Sequence, residues 1–131
     1  MGFGIAAGVL VLVCGGGTAA MIGVFASSTG AFSERAQAAV GHYLGALRDK
    51  HYDAAYDLLC DRAQNDETEA AFRRRVAAED PIASWRFGDL NLVTMALPFE
   101  ATYDSGSTSS LEAYLGQDRE TGEFEVCDIG E

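Results

Sequence analysis

The side chains best suited to chemistry in this chain are its cysteines and histidines, and the 131 residues contain only three Cys and two His. No Cys-x-x-Cys, His-Glu-x-x-His or phosphate-binding loop is present, and neither His42 nor His51 has a cysteine at metal-ligand spacing. The sequence therefore predicts no metal site and no other cofactor. His42 lies beside the apolar stripe of a predicted helix, which makes it the better candidate of the two for lining a pocket.

Two of the cysteines, Cys60 and Cys127, belong to the charged part of the chain, whereas Cys14 lies in an apolar N-terminal run. A bond between Cys60 and Cys127 would span 66 intervening residues. By restricting the unfolded chain it would stabilise the fold by about 4 kcal/mol. Such a bond requires an oxidising compartment. Two interpretations are open from the residues: a disulfide in an extracytoplasmic domain, or two buried free thiols in a cytoplasm-facing domain.

Charge is divided sharply along the chain. Residues 1–33 contain no Asp, Glu, Lys or Arg, while residues 89–131 contain ten acids and a single base, Arg119. The net charge of -11 excludes a general nucleic-acid binder, because such a protein needs a basic surface. We expect the acidic C-terminal part to be a solubilising surface. The alternative is a docking face for a basic partner or for cations.

The N-terminal run, residues 3–26, is 24 residues long and has Thr18 as its only polar side chain. As a helix it would extend about 36 Å, enough to cross a hydrocarbon core of about 30 Å. It lacks a basic leader and exceeds the usual apolar core of a signal peptide. We therefore expect an uncleaved transmembrane anchor over residues 1–27, with the lipid bilayer as partner of residues 3–26. Val13 before Cys14 disfavours a lipoprotein signal.

After a predicted linker over residues 28–33, apolar residues recur at helical spacing and then alternate as in strands. Helices are predicted over residues 34–49, 52–60 and 66–78, and strands over 83–87, 99–103, 111–115 and 124–127. Ser33 is the expected N-cap of the first helix, and Asp66 with Glu69 has capping-box spacing. Residues 90–92 are expected to continue the first strand after a bulge. The predicted fold is α+β: a transmembrane helix, then three helices packed on a curved antiparallel sheet of about four strands.

The sequences Tyr-Leu-Gly-Ala-Leu at residues 43–47 and Tyr-Asp-Ala-Ala-Tyr-Asp-Leu-Leu-Cys at residues 52–60 resemble a known helical opening. It is that of the nuclear-transport-factor-two-like (cystatin-like cone) superfamily, in particular its small membrane-anchored actinobacterial members, which are often domains of unknown function. The resemblance covers residues 34–129. It implies a cone of three helices and a curved sheet, an extracytoplasmic domain and a Cys60–Cys127 disulfide. On this basis we prefer an outward orientation for residues 34–131, although the positive-inside rule, with only Arg35 to count, favours the opposite.

The resemblance also implies where chemistry would occur. Enzymes of that superfamily place a carboxylate base and a hydroxyl donor inside the cone. The candidate donors here are Tyr43, Tyr56, Tyr103 and Tyr114, and the candidate bases are Asp89 and Glu100. No spacing selects one pair, so we expect no catalytic residues. The candidate pocket-lining residues are His42, Tyr43, Tyr56, Trp85, Tyr103 and Tyr114.

The function expected from the sequence is a non-enzymatic, membrane-tethered interaction or ligand-binding module of the cell envelope. It would serve as an accessory subunit with a membrane or envelope protein partner, and the sequence does not identify a small-molecule ligand. One alternative is a cone-type enzyme or a carrier for a small hydrophobic ligand. Another is a cytoplasm-facing anchored domain without a disulfide. A cone filled by side chains would favour the module, because fold alone does not imply an activity.

Overall fold

The computed structural model describes residues 28–131, which form four helices followed by one four-stranded antiparallel sheet. The helices are α1 (Ser28–Arg48), α2 (Tyr52–Asp57), α3 (Asp61–Asp66) and α4 (Glu69–Ala78). The strands are β1 (Ile82–Phe87), β2 (Ala96–Tyr103), β3 (Thr108–Gln117) and β4 (Phe124–Gly130). The predicted α+β class is confirmed. The predicted anchor over residues 1–27 lies outside the described residues, and no helix within residues 28–131 is long and apolar enough to cross a membrane.

The linker predicted over residues 28–33 is wrong, since these residues belong to α1. Ser33 therefore lies inside the helix and does not cap it. Phe32, in this same turn, packs edge-on against Phe124 of β4, with ring centroids 6.4 Å apart. This contact between distant parts of the chain favours helix despite the low helix propensity of Ser, Thr and Gly.

The middle helical region contains one helix more than predicted. The helix expected over residues 52–60 ends at Asp57, because Leu59 pairs with Val126 of β4 and the Cys60 N–H donates to the Val126 carbonyl at 2.8 Å. Backbone groups bonded to the sheet cannot also continue a helix. Residues 61–66 then form α3. The next helix, α4, is capped by Thr68, whose hydroxyl accepts the Ala71 N–H at 3.2 Å.

The four strands form a meander in the order β1-β2-β3-β4. The strand continuation predicted for residues 90–92 is wrong, because Asn91 forms only an isolated bridge to Ala96 and residues 92–95 form a turn. There the Asn91 side-chain oxygen accepts the backbone N–H groups of Val93 and Thr94 at 2.9 and 3.2 Å. This local hydrogen bonding competes with strand pairing.

The core lies between the helices and one face of the sheet, which we call the inner face. Its largest fully buried side chains are Phe72, Leu44, Leu97, Val40 and Val126. On β2, Leu97, Phe99 and Ala101 alternate toward this face. The opposite face, the outer face, is mostly polar. On this face Arg86 pairs with Glu100 and Gly116 pairs with Glu125. Glu112 and Tyr114 of β3 lie on the same face.

Candidate functional site

A depression of about 370 Å³ opens where α1, α3, α4 and β4 meet, and we call it the Tyr43 pocket. The residues that line it include Tyr43, Leu59, Arg62, Glu67, Arg75 and Asp128. Its volume falls within the range of small-molecule sites, about 300 to 1,000 Å³. The pocket brings one of the predicted hydroxyl donors together with charged side chains from other elements.

Tyr43 is placed by the apolar stripe of α1, in which Ala36, Val40 and Leu44 are fully buried. Its side chain is only 5% exposed, and its ring centroid lies 6.5 Å from that of Phe72. No hydrogen bond of its hydroxyl is found within the described residues. Because no buried side-chain polar atom there lacks a partner, the hydroxyl is open to the solvent in the pocket that the residue borders. Burial raises the pKa of Tyr43 well above its ordinary value of 10.0. The hydroxyl is therefore protonated at neutral pH and can donate a hydrogen bond to a molecule in the pocket.

Arg75 forms a wall of the Tyr43 pocket and is fixed on several sides. Its Nε and Nη2 donate to the two carboxylate oxygens of Glu67 at 3.0 and 2.9 Å, and its Nη1 donates to Glu79 at 3.2 Å. The guanidinium carbon lies 5.5 Å from the ring centroid of Phe72. The hydrogen bond from Arg75 lowers the pKa of Glu67, and the same bond raises the pKa of Arg75. Glu67 is thus a poor proton acceptor, which disfavours it as a general base.

The Arg75–Glu67 pair is a feature that the sequence does not reveal. Helical spacing indicates a solvated surface for residues 73–75, and Arg73 does pair with Glu69 one turn away at 3.6 Å. Glu67 precedes α4 and lies eight positions before Arg75, beyond the spacing of helical neighbours. Its approach depends on the break between α3 and α4.

Tyr56 does not line the Tyr43 pocket but holds the backbone of residues next to it. Its hydroxyl lies 2.9 and 2.8 Å from the carbonyl oxygens of Gln64 and Glu67, to which it donates. The Gln64 amide donates back to the Tyr56 carbonyl at 2.9 Å. These bonds hold the end of α3 and so position Glu67. Tyr56 therefore acts as a positioning residue, and its hydroxyl is committed to the backbone.

The other predicted pocket-lining residues lie elsewhere. His42 is exposed and borders a separate depression with Arg35 and Phe124. Trp85 lies half-buried on β1, with the Arg48 guanidinium carbon 5.3 Å from its ring centroid. The structure thus places both residues away from the Tyr43 pocket.

Tyr103 and Tyr114 are also apart from this pocket. Tyr103 is half-buried at the end of β2, opposite Ile82 of β1. Tyr114 lies on the outer face, where its hydroxyl donates to Glu112 at 3.0 Å and the residue borders another depression, beside Gly116 and the disulfide. Of the six candidate pocket-lining residues, only Tyr43 borders the Tyr43 pocket.

The two candidate bases are not near Tyr43 either. Asp89 is exposed in the loop after β1, and Glu100 is exposed on the outer face, opposite Arg86. Neither residue lines the Tyr43 pocket. The predicted residues therefore do not assemble the hydroxyl–carboxylate pair that a cone enzyme would use.

Cys60 and Cys127 form a disulfide with their Cα atoms 5.1 Å apart, which confirms the predicted pairing. Cys127 is the extra residue of a β-bulge, since its neighbours in β4 pair with consecutive residues of β3. The bond passes over Gly116, where an added Cβ would lie only 3.0 Å from the Cys127 Sγ. The absence of a side chain at Gly116 leaves room for the bridge.

Within residues 28–131, no group of three or more His, Cys, Asp or Glu side chains is placed to hold a metal ion. A comparison of the chain with protein-family models, curated proteins and solved structures finds no match. No family is therefore assigned.

Proposed function

We propose that this protein is a non-enzymatic interaction module of the cell envelope, tethered to the bilayer by residues 3–26 and exposed outside the cytoplasm. The proposal rests mainly on the Cys60–Cys127 disulfide, because such bonds persist in oxidising compartments and are rare in the cytoplasm. A small domain held beside a membrane in this way suits the role of accessory subunit in an envelope complex.

The packing of the domain supports binding at its surface over catalysis in its interior. Fully buried side chains, among them Phe72, Leu44 and Leu97, fill the space between the helices and the inner face. A cone enzyme needs an open interior with convergent polar groups. In the Tyr43 pocket, the Glu67 carboxylate is already bound to Arg75, and the other two carboxylates, Asp66 and Asp128, are exposed rather than buried beside the Tyr43 hydroxyl.

Membership of the nuclear-transport-factor-two-like superfamily is part of the same proposal. It is supported by the order of helices before a meandering sheet, and by a disulfide that joins the helical region to the last strand. An extracytoplasmic position is what this membership implies.

Orientation can be tested on a single side chain. Lys50 is the only lysine of the chain, and it is exposed just after α1. A membrane-impermeant amine reagent applied to intact cells should label Lys50 if the domain lies outside. Lys50→Arg is the matched control, since it retains the charge and removes the reactive amine. Labelling of Lys50 only after lysis, together with free thiols at Cys60 and Cys127, would overturn the proposal.

The interaction role is tested by native mass spectrometry of the full-length protein extracted gently from its own membrane. We expect a stoichiometric protein partner, and a photo-crosslinking side chain at Glu112 on the outer face should capture it in intact cells. A crosslinker at Asp53, exposed on α2, is the control for non-specific capture. If the extracted protein carries no partner and no protein is crosslinked at Glu112, this role is contradicted.

Ligand binding is a second candidate function. It is favoured by the Tyr43 hydroxyl, from which no described residue accepts a hydrogen bond. The same native spectrum should then show a small molecule bound to the wild type and lost from Tyr43→Phe, which removes one oxygen. A bound molecule that survives this substitution would exclude the Tyr43 pocket as its site.

A further inference from the structure

The loop between β1 and β2 exposes two neighbouring apolar side chains to solvent. Val93 is 93% exposed and Leu92 is 47% exposed, at the tip of residues 88–95. Asp89 is the only charged residue of this loop. Apolar side chains held in water at a loop tip favour transfer into an apolar partner or into lipid.

Hydrogen bonds hold this loop in its projecting form. The Asn91 side-chain oxygen accepts hydrogen bonds from the backbone N–H groups of Val93 and Thr94. The backbone N–H of Asn91 donates to the Ala96 carbonyl at 2.9 Å. Met95 has a φ of 54°, a left-handed conformation that residues other than glycine seldom adopt. The turn is therefore defined by specific contacts that direct Leu92 and Val93 away from the core.

The direction of the loop follows from the packing of β1 on α1. Contacts between the two elements run in opposite directions along the chain, so β1 is antiparallel to α1. The Trp85 ring lies beside Gly45 and the Phe87 ring lies beside Gly41. Gln37 Nε2 donates to the carbonyl of Gly88, just after β1, at 3.4 Å. A loop that leaves β1 therefore extends toward the N-terminal end of α1.

Measured from the contact between Gln37 and Gly88, the start of α1 and the tip of the loop lie at similar maximum distances. From Gln37 back to Ser28 the helix extends about 13 Å at 1.5 Å per residue. From Gly88 to Leu92 the loop spans at most about 13 Å. The apolar run of residues 3–26 ends two positions before Ser28. A bilayer that holds this run would have its surface close to the tip of the loop.

We propose that Leu92 and Val93 insert into the surface of the bilayer that holds residues 3–26, which gives the domain a second contact with the membrane. This inference rests on the membrane tether in the proposed function. A single helix leaves the domain free to rotate above the membrane, whereas a second, apolar contact fixes its orientation. The acidic outer face would then point in a constant direction toward a partner.

The test uses Val93→Trp in the full-length chain, reconstituted into phosphatidylcholine vesicles that contain lipids brominated at known depths. Trp85 is the only native tryptophan and supplies the reference signal. Asp104→Trp, in the exposed turn between β2 and β3 at the opposite end of the sheet, is the matched control. We expect bromines near the headgroups to quench Val93→Trp roughly twice as strongly as the wild type. Asp104→Trp should be quenched no more than the wild type.

The outcomes separate failure of the loop contact from failure of the tether. If the chains float with the vesicles and Val93→Trp is quenched no more than Asp104→Trp, the loop insertion is overturned and the tether stands. If the chains do not float, both are overturned. If Val93→Trp is shielded from aqueous iodide in native membranes but is not quenched by brominated lipid, the tip binds a protein and insertion into lipid is overturned.

Discussion

The two faces of the sheet are formed by the same strands, but the inner face is buried and apolar whereas the outer face is mostly exposed and polar. On the inner face, Leu97 and Phe99 belong to the core between the helices and the sheet and have almost no exposed surface. On the outer face, Glu100 and Glu112 are exposed, and the disulfide passes close over Gly116. Stability therefore resides in the inner face and in one covalent bond, while most of the outer face is left free for interaction.

The largest effect on stability is expected from removing a large side chain from the core at the inner face. Phe72→Ala should lower the free energy of unfolding by up to about 5 kcal/mol, because a fully buried ring leaves a cavity. Phe32→Ala is the control, since Phe32 is 41% exposed, and it should lose only about 1 kcal/mol. Chemical denaturation of both full-length variants in detergent gives the two values. Equal losses would show that the inner core is not packed as described.

The next largest effect is expected from the disulfide. Its reduction, or Cys60→Ser with Cys127→Ser, should destabilise the fold by about 4 kcal/mol, because the unfolded chain gains entropy when a loop of this length is opened. Denaturation with and without a reductant measures the difference. Cys14→Ser is the matched control and should leave it unchanged. A loss from reduction below about 1 kcal/mol contradicts a stabilising role for the bridge.

A smaller effect should distinguish two glycines. Gly116→Ala on the outer face should cost about 2 kcal/mol, because its Cβ would lie 3.0 Å from the Cys127 Sγ. Gly45→Ala in α1 should instead stabilise the fold by about 0.5 kcal/mol, since its Cβ would only touch Trp85 at 3.9 Å. Thermal unfolding of both variants gives the signs. A neutral or stabilising Gly116→Ala would contradict the crowding at Gly116.

The smallest effect is a loss of stability at alkaline pH. Because burial raises the folded-state pKa of Tyr43 above 10.0, its contribution is fully present below pH 10 and is lost as the pH rises further. By pH 11 the loss should be about 1 kcal/mol. Denaturation between pH 9 and 11 measures it, and Tyr43→Phe, which cannot ionise, should reduce the slope. An unchanged slope in Tyr43→Phe would show that other groups cause the alkaline loss.

Much of the fold could be read from local patterns. The apolar stripe that contains Val40 and Leu44 predicted the buried side of α1, and alternation predicted all four strands. The elements that were missed depend on distant partners. The helical region is divided before α3 because Leu58 and Cys60 form backbone hydrogen bonds with Val126 of β4. Residues 28–33 are helical where Phe32 packs against Phe124.

The candidate site was less predictable than the fold. Tyr43 was a candidate, but its companions Arg75 and Glu67 were not, because their contact crosses the break between α3 and α4. His42, Trp85, Tyr103 and Tyr114 have the same residue types as pocket-lining groups. Residue type alone does not state which side of an element a side chain occupies once strands are paired and helices are packed.

The division of charge, the apolar run before residue 28, the alternation of the strands and the even number of cysteines in the charged region are visible in the amino-acid sequence. These follow from composition and from the fixed periods of helix and strand. The packing of the elements decides that Tyr43 borders the same pocket as Arg75, that Arg75 binds Glu67, and that Leu92 and Val93 are exposed at the tip of their loop. Such contacts depend on strand register and helix packing, which bring together residues far apart in the chain.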